Sequence, residues 1–436
     1  MNLKKLYSIY LEHPKICTDT RSIEKGCLFF ALKGDNFNGN EFALEALKKG
    51  AAYVVIDEKE YYRSPNCLVV ADTLQTLQQL AKHHRNQLRI PVIGITGSNG
   101  KTTSKELISS VLSEHFKTYA TQGNLNNHIG VPLTILSIPP STEIAIIEMG
   151  ANHQKEIEFL CGISQPTHGL ITNVGKAHLE GFGGLEGVKI GKGELYYHLA
   201  ASQGVTFINQ DNKTLADMAE ARSVTNITSY GVSETNDVSA KISKTSPYFS
   251  VKWKRNGVNA DHGYHEASSN LTGSYNFENT LAAIAIGCFF KLSPDEINRG
   301  IQSYFPSDNR SQIIQTEKNI LICDYYNANP SSMQAAIDNL NTVSAEKKVL
   351  ILGDMFELGD DAPAEHLRIL GMSRSIRLHK RIFIGFEFFK LKDGADYFYK
   401  STSEAYEALE ECPITDATIL IKGSRGMKLE ALVKLL

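Results

Sequence analysis

The chain has 436 residues, enough for two or three domains, and 42% are apolar against 21% charged, the balance of a globular protein with real cores. A formal net charge of -3 excludes a general basic field, so nucleic acid is not an expected partner. No apolar run reaches the roughly 20 residues of a membrane span, so no membrane is expected either.

Residues 1–11 carry apolar side chains at helical spacing, too short and too interrupted for a signal peptide, and read as a docking helix. Buried strands are expected at 27–32 and 53–56, with a helical segment at 41–49 between them. The polar run 82–87 closes a helix ahead of Pro91, which ends a first unit at residues 1–88. Cysteines at 17, 27, 67, 161, 288, 323 and 412 are odd in number and form no Cys-x-x-Cys. They read as reduced, mostly buried thiols of a cytoplasmic protein.

The second unit, 89–310, opens on Pro91-Val92-Ile93-Gly94-Ile95-Thr96-Gly97-Ser98-Asn99-Gly100-Lys101-Thr102-Thr103. An apolar strand here enters a glycine-bracketed loop, and helical spacing resumes from Ser104 to Leu112. Backbone N–H groups at such glycines approach phosphate oxygens unobstructed, and the helix start adds its positive dipole end. Lys101 would supply charge to the outer phosphates and the Thr102 hydroxyl a ligand to Mg²⁺. The loop is shorter than the Walker pattern, since only Ser98 and Asn99 separate its glycines. A plain strand-to-helix turn is the alternative, and the Gly-Lys-Thr-Thr ending favours a nucleotide site.

Further strands are expected at 143–148, 169–172 and 205–208, with helices between them, which is the signature of a parallel sheet. Glu148 ends the first of these, where open α/β sheets place ligands, and its carboxylate suits Mg²⁺; a helix cap is the other reading. His178 follows the next strand in a turn-rich run. Residues 237–273 alternate with period two and contain Asn256-Gly257, a hairpin signal, so an antiparallel region is appended here. A helix returns at 276–291. The third unit, 311–436, has strands at 320–323, 348–352, 381–384 and 418–421 and reads as a second doubly wound α/β domain.

Thr96 to Thr103, Gly123-Asn124-Leu125-Asn126-Asn127, Glu148-Met149-Gly150-Ala151-Asn152-His153 and Ala177-His178-Leu179-Glu180-Gly181-Phe182-Gly183 together resemble the Mur ligases. The likeness continues at Thr18-Asp19-Thr20-Arg21, Tyr326-Asn327-Ala328-Asn329-Pro330, Gly353-Asp354-Met355 and Lys422-Gly423-Ser424-Arg425, so it spans nearly the whole chain. The shortened phosphate loop fits that family. Tyr-Asn-Ala-Asn replaces the Asp-Asn-Pro-Arg signature of the ligase adding the diamino residue, and directs the likeness to the branch adding D-alanyl-D-alanine.

The resemblance implies three domains: a small α/β domain binding a UDP-sugar, a central P-loop-type ATPase domain and a C-terminal Rossmann-like domain for the incoming amine. It implies that the carboxylate of UDP-N-acetylmuramoyl-tripeptide is activated by ATP as an acyl phosphate and joined to D-alanyl-D-alanine. By position, Lys101 meets the β/γ-phosphates, Thr102 and Glu148 hold a first Mg²⁺, and His178 helps bind a second. Lys192 matches a lysine that the family modifies to a carbamate, an oxygen donor suited to Mg²⁺; a solvated helix lysine is the alternative. Asn276 and Asn279 resemble the adenine-side asparagines, although Tyr275 stands where histidine is common. Arg310, after Ser307-Asp308-Asn309, resembles the arginine that reaches the transferring phosphoryl, and Asp324 a ribose contact. Thr20, Arg21, Asn38 and Gly39 would serve the UDP end, where turn formation is the other reading. Asn124, Asn126 and Asn127 would line the route to the tripeptide carboxylate, and Asn327, Asn329 and Arg425 would take the dipeptide. The arrangement works as a monomer. Another amide ligase of the superfamily, or a nucleotide-gated regulator, remains open to the sequence.

Overall fold

Apolar strands sort into three successive sheets of four, nine and six strands, besides a two-stranded ribbon. This computed structural model describes residues 1–245, 248–257, 260–307 and 309–436. The first sheet is parallel, in the order Ile16–Cys17, Leu28–Phe30, Tyr53–Ile56 and Cys67–Val69. The docking helix is Leu3–Glu12, capped by Asn2, and Tyr10 Oη donates to Leu136 O at 2.7 Å across to the central unit.

The expected polar run at 82–87 does close a helix, Thr73–Arg85, started by the Asp72 cap. Within that run Arg85 is buried and donates to Ser164 O and Gln165 O at 2.8 and 2.9 Å, so the helix end is packed on the central unit. One apolar core therefore runs from Leu6, Phe30 and Leu80 to Val131, Ile147 and Tyr196. Of the helical segment expected at 41–49, only Ala43–Lys48 is α-helical, since Gly39–Phe42 winds as a 3-10 turn.

The nine-stranded sheet centres on Val92–Thr96, flanked by Ile144–Glu148 on one side and His168–Ile171 on the other. Every residue of Val92–Thr96 and Ile144–Glu148 is buried, as parallel strands covered on both faces must be. The chain leaves Val92–Thr96 towards the edge strand Thr118–Ala120 on one side and later reaches His168–Ile171 on the other. This reversal opens a crevice at the strands' carboxyl ends.

Beyond His168–Ile171 come Val205–Asn209, Ile227–Gly231 and Val238–Lys244, still parallel, and then Ser250–Arg255 and His265–Ser268, antiparallel. The appended region thus extends the central sheet. Its last two strands pair without a two-residue turn at Asn256-Gly257. Asn256 Nδ2 instead donates to Asn236 O and Ser239 Oγ at 2.8 and 3.0 Å, stapling it to the neighbouring strand. Part of that connection, Val258 and Asn259, lies outside the described residues.

The six-stranded sheet runs Gln312–Gln315, Asn319–Asp324, Ala417–Lys422, Lys348–Gly353, Lys380–Ile384 and Tyr397–Tyr399, and only its first pair is antiparallel. Among the described residues no helix is long and apolar enough to cross a membrane. All seven cysteines are free and five of them are buried.

Candidate active site

The strand Val92–Thr96 delivers the chain into a loop whose backbone only glycine accommodates. Gly97 has φ +148°, and a Cβ there would lie 2.0 Å from Thr172 Oγ1. Gly100 caps the helix Lys101–Leu112 at φ +77°, and a Cβ there would meet Asn279 Oδ1 at 2.5 Å. The loop is braced on the segment that follows the neighbouring strand His168–Ile171: Asn99 N donates to Asn173 Oδ1 at 2.9 Å and Gly175 N to Ser98 Oγ at 2.9 Å. Its helix N-terminus opens on a cavity of about 1070 Å³ lined by residues of the second and third sequence units, from Ser98 to Lys422.

Lys101 Nζ donates to Gly97 O at 2.8 Å, curled over the loop that precedes it. Burial lowers its pKa, the Glu148 carboxylate opposes that shift, and the Arg310 charge adds to it. Thr102 Oγ1 donates to Glu148 Oε2 at 2.9 Å and Asn126 Nδ2 to Glu148 Oε1 at 2.8 Å, so both oxygens of a buried carboxylate are held. These oxygens are the hard donors that Mg²⁺ requires. Among the described residues there is no cluster of three or more His, Cys, Asp or Glu able to hold a metal alone. A magnesium ion bound largely through nucleotide phosphates needs no such cluster.

Lys192 is 1% exposed and does not line the cavity; it lies behind Ala151, to whose carbonyl its Nζ donates at 3.1 Å, and 5.1 Å from the centre of the Phe182 ring. Burial, and secondarily the Lys101 charge, hold its pKa well below the ordinary lysine value. His178 lines the cavity at φ +53°. Its Nδ1 lies 2.5 Å from Glu357 Oε2, a contact that lowers the Glu357 pKa.

Opposite the loop, a chain of polar contacts leads away from Ser104. Ser104 Oγ donates to Asn279 Oδ1 at 3.0 Å, Asn279 Nδ2 to Asn276 Oδ1 at 3.0 Å, and Asn276 Nδ2 to Thr272 O at 2.8 Å. Tyr275 Oη and Ser311 Oγ are 2.7 Å apart. Asp324 takes up the Ser311 N–H at 3.3 Å and pairs with the buried Lys422 at 2.7 Å. Asn329 caps the helix Pro330–Thr342, and its Nδ2 donates to Asn99 Oδ1 at 2.7 Å, tying the third unit to the phosphate loop. Arg310 stands 3.6 Å from the Tyr326 ring centre. Asp308, two positions before it, is outside the described residues.

The cavity therefore gathers Ser98 to Thr103, Asn124, Asn126, Asn127, Glu148, His178, Asn276, Asn279, Arg310, Asp324, Asn327 and Asn329. Thr96 and Gly97 form the root of the loop and not the cavity wall. Asn127 Oδ1 is occupied by the N–H groups of Ile129 and Gly130, a side-chain turn leading into the helix Gly130–Leu136. Thr20, Arg21, Asn38, Gly39 and Arg425 lie outside the lining. Arg21 is bonded to Asp19 in its own turn, and Asn38 Nδ2 donates to Glu58 at 2.9 Å.

Residues 15–94, 95–287 and 309–425 match the families described as "Mur ligase family, catalytic domain", "Mur ligase middle domain" and "Mur ligase, glutamate ligase domain". The chain is 35% identical over 434 residues to the UDP-N-acetylmuramoyl-tripeptide–D-alanyl-D-alanine ligase of Bacillus subtilis, covering 96% of this chain and 92% of that one. The chain belongs to the Mur ligase family. The crystal structure of MurF from Acinetobacter baumannii matches it with a TM-score of 0.86 at 32% identity, over 96% of this chain and 92% of that one. MurF from Thermotoga maritima, solved with ADP, shares the fold at a TM-score of 0.84 and 24% identity, over 97% and 96% of the two chains.

In this Mur ligase the site also uses residues that the sequence did not single out for it. Tyr326, Asn173, Ser331 and Lys422 line the cavity, and Glu357 faces His178. Tyr326 lies beside Asn327 in a motif already noted, which was its available signal. Lys422 likewise stands in a motif already noted, but its pairing with Asp324, and that of Glu357 with His178, join positions about a hundred or more apart and are not contained in any local pattern.

Proposed function

We propose that the chain is an ATP-dependent ligase joining D-alanyl-D-alanine to the terminal carboxylate of UDP-N-acetylmuramoyl-tripeptide. The products are the UDP-linked pentapeptide, ADP and phosphate, a step of peptidoglycan precursor synthesis. The observation that carries the reading is the convergence on one cavity of the phosphate loop, the Thr102–Glu148 pair and residues of the third unit, Asn327 and Asn329. The relatives' shared name supplies the substrates.

Residues 1–88 would bind the UDP end through Thr20, Arg21, Asn38 and Gly39, residues 89–310 ATP, and residues 311–436 the dipeptide. Lys101 uncurls from Gly97 O onto the β/γ-phosphates, Asn276 and Asn279 face the adenine side, and Asp324 the ribose. Two anions must meet, and Lys101 with Arg310 offsets their repulsion in a site screened from water. A tripeptide carboxylate oxygen attacks the γ-phosphorus, the bond to the bridging oxygen breaks, and ADP leaves. The dipeptide amine, having lost a proton, attacks the acyl carbon, and phosphate leaves from the tetrahedral intermediate.

Thr102 and Glu148 would hold one Mg²⁺, and His178 with a carbamate on Lys192 a second; bound there, magnesium supplies further charge neutralisation. A buried lysine with a depressed pKa favours that carbamate, because only the neutral amine adds carbon dioxide. Action as a monomer and a cytoplasmic setting, where ATP is supplied, belong to the same reading. The test is phosphate release with each substrate alone and together. Turnover should require ATP, the UDP-tripeptide and D-alanyl-D-alanine at once, and turnover with folate and glutamate instead would reject the reading.

A further inference from the structure

Tyr326 lies between two arginines from distant parts of the chain. The Arg310 guanidinium carbon is 3.6 Å from its ring centre and that of Arg425 is 5.2 Å away. Arg425 Nη1 also donates to the phenolic oxygen at 3.4 Å. Arg310 and Tyr326 line the cavity, whereas Arg425 is exposed outside it, so the ring stands as a partition between the nucleotide space and the outer face. Among the described residues no carboxylate pairs with either arginine, and Arg310 Nε is buried without a hydrogen-bond partner.

Two permanent cations beside one ring repel each other; the quadrupole of the ring face offsets this for Arg310, and the phenolic oxygen does so for Arg425. Among the described residues the Tyr326 ring, 3.6 Å away, orients the Arg310 side chain, whose buried Nε has no hydrogen-bond partner. Arg425 touches the same residue at its hydroxyl end. Each arginine is thus held by Tyr326 rather than by a carboxylate of the described residues.

We infer that Tyr326 is a positioning residue that aligns Arg310 for phosphoryl transfer with its ring and Arg425 for the dipeptide's free carboxylate with its hydroxyl. This rests on the ligase reading above. It divides the side chain into two separable parts. The ring serves acyl phosphate formation, which needs no dipeptide, and the hydroxyl serves dipeptide capture.

The full chain with Tyr326→Leu and Tyr326→Phe separates them. Acyl phosphate formation is read as positional isotope exchange in labelled ATP with UDP-tripeptide and no dipeptide, and capture as the KM for D-alanyl-D-alanine. Tyr326→Leu should slow exchange about 10-fold and raise that KM about 10-fold, the scale of a partly desolvated cation–π contact. Tyr326→Phe should recover most of the exchange rate while the KM stays raised by about 3-fold or more, the scale of one hydrogen bond. Wild-type values in Tyr326→Leu, or equal losses of exchange and KM in Tyr326→Phe, overturn the inference. If Tyr326→Leu melts at the assay temperature, Tyr326→Phe decides alone by the same split. A wild-type chain that neither exchanges nor ligates fails the ligase reading instead, so the two failures are distinct.

Discussion

Thr102 Oγ1 donates to Glu148 Oε2 at 2.9 Å, so the hydroxyl at the start of the phosphate-loop helix and the carboxylate at the tip of the neighbouring strand are already joined. Asn126 Nδ2 holds the other carboxylate oxygen at 2.8 Å. A buried carboxylate fixed by two donors keeps one orientation for a cation. Glu148→Gln places an amide N–H₂ against one of those donors and removes the charge. It should cut phosphate release by about 100-fold or more. Asn126→Ala leaves the charge but frees its orientation, and should raise the magnesium needed for half-maximal rate about 10-fold to 100-fold. Magnesium titrations of the two variants check both, and an unchanged titration for Asn126→Ala would remove it from the site.

Lys192 tests the carbamate. Its amine has one hydrogen-bond partner, Ala151 O, and its pKa is lowered chiefly by burial. Lowering a cation's folded pKa means that the unfolded chain binds the proton more tightly. Stability therefore rises as pH climbs from that depressed value towards the ordinary one near 10.5. Lys192→Met should remove this slope in carbon-dioxide-free buffer and melt a few degrees higher at neutral pH, because it puts an apolar side chain where burial disfavours a protonated amine. Lys192→Ala should lose nearly all activity and regain part of it with formate or acetate, whose carboxylates replace the carbamate oxygens. Full activity in Lys192→Ala would take the residue out of the mechanism.

Where the sequence is legible, the physics is local. Val92–Thr96, Ile144–Glu148 and Lys348–Gly353 are apolar runs that only a covered parallel sheet can bury, and Gly97 to Thr102 shows its purpose in residue types alone. Edge strands escape notice because they are short and partly exposed, as Thr118–Ala120, Gln312–Gln315 and Tyr397–Tyr399 are. Asn256-Gly257 carries the chemistry of a tight turn, yet the Asn256 amide is spent on Asn236 and Ser239, a tertiary contact that local propensity does not contain. The partition formed by Tyr326 and the pairing of Asp324 with Lys422 at 2.7 Å likewise arise only when distant segments meet.

Gly97→Ala tests the phosphate loop itself. The added methyl would fall 2.0 Å from Thr172 Oγ1, on a backbone at φ +148° that L-residues rarely adopt. Thr172 cannot step aside cheaply, since its hydroxyl donates to Asn99 O at 2.6 Å and so braces the loop. The strain is of order 1–3 kcal/mol for the backbone alone. The variant should bind ADP at least about 10-fold more weakly in calorimetry, with a lowered Tm. Wild-type ADP affinity would show that the loop does not form the phosphate cradle.

Asn329 performs two tasks that substitution can separate. Its Oδ1 accepts from Ser332 N at 2.9 Å, closing a capping box for Pro330–Thr342, and its Nδ2 donates to Asn99 Oδ1 at 2.7 Å. Serine caps a helix about as well as asparagine but is too short to span the second contact. Asn329→Ser should hold its Tm to within about 2 °C and still lose about 3-fold to 10-fold in kcat/KM, the scale of one hydrogen bond between the third unit and the loop. Asn329→Ala should show the same kinetic loss and in addition melt about 2–4 °C lower, since the missing cap costs about 1 kcal/mol. Melting curves with steady-state phosphate release on both variants settle the division. Wild-type kinetics in Asn329→Ser would mean that the contact with Asn99 plays no part in turnover, and that Asn329 serves its helix alone.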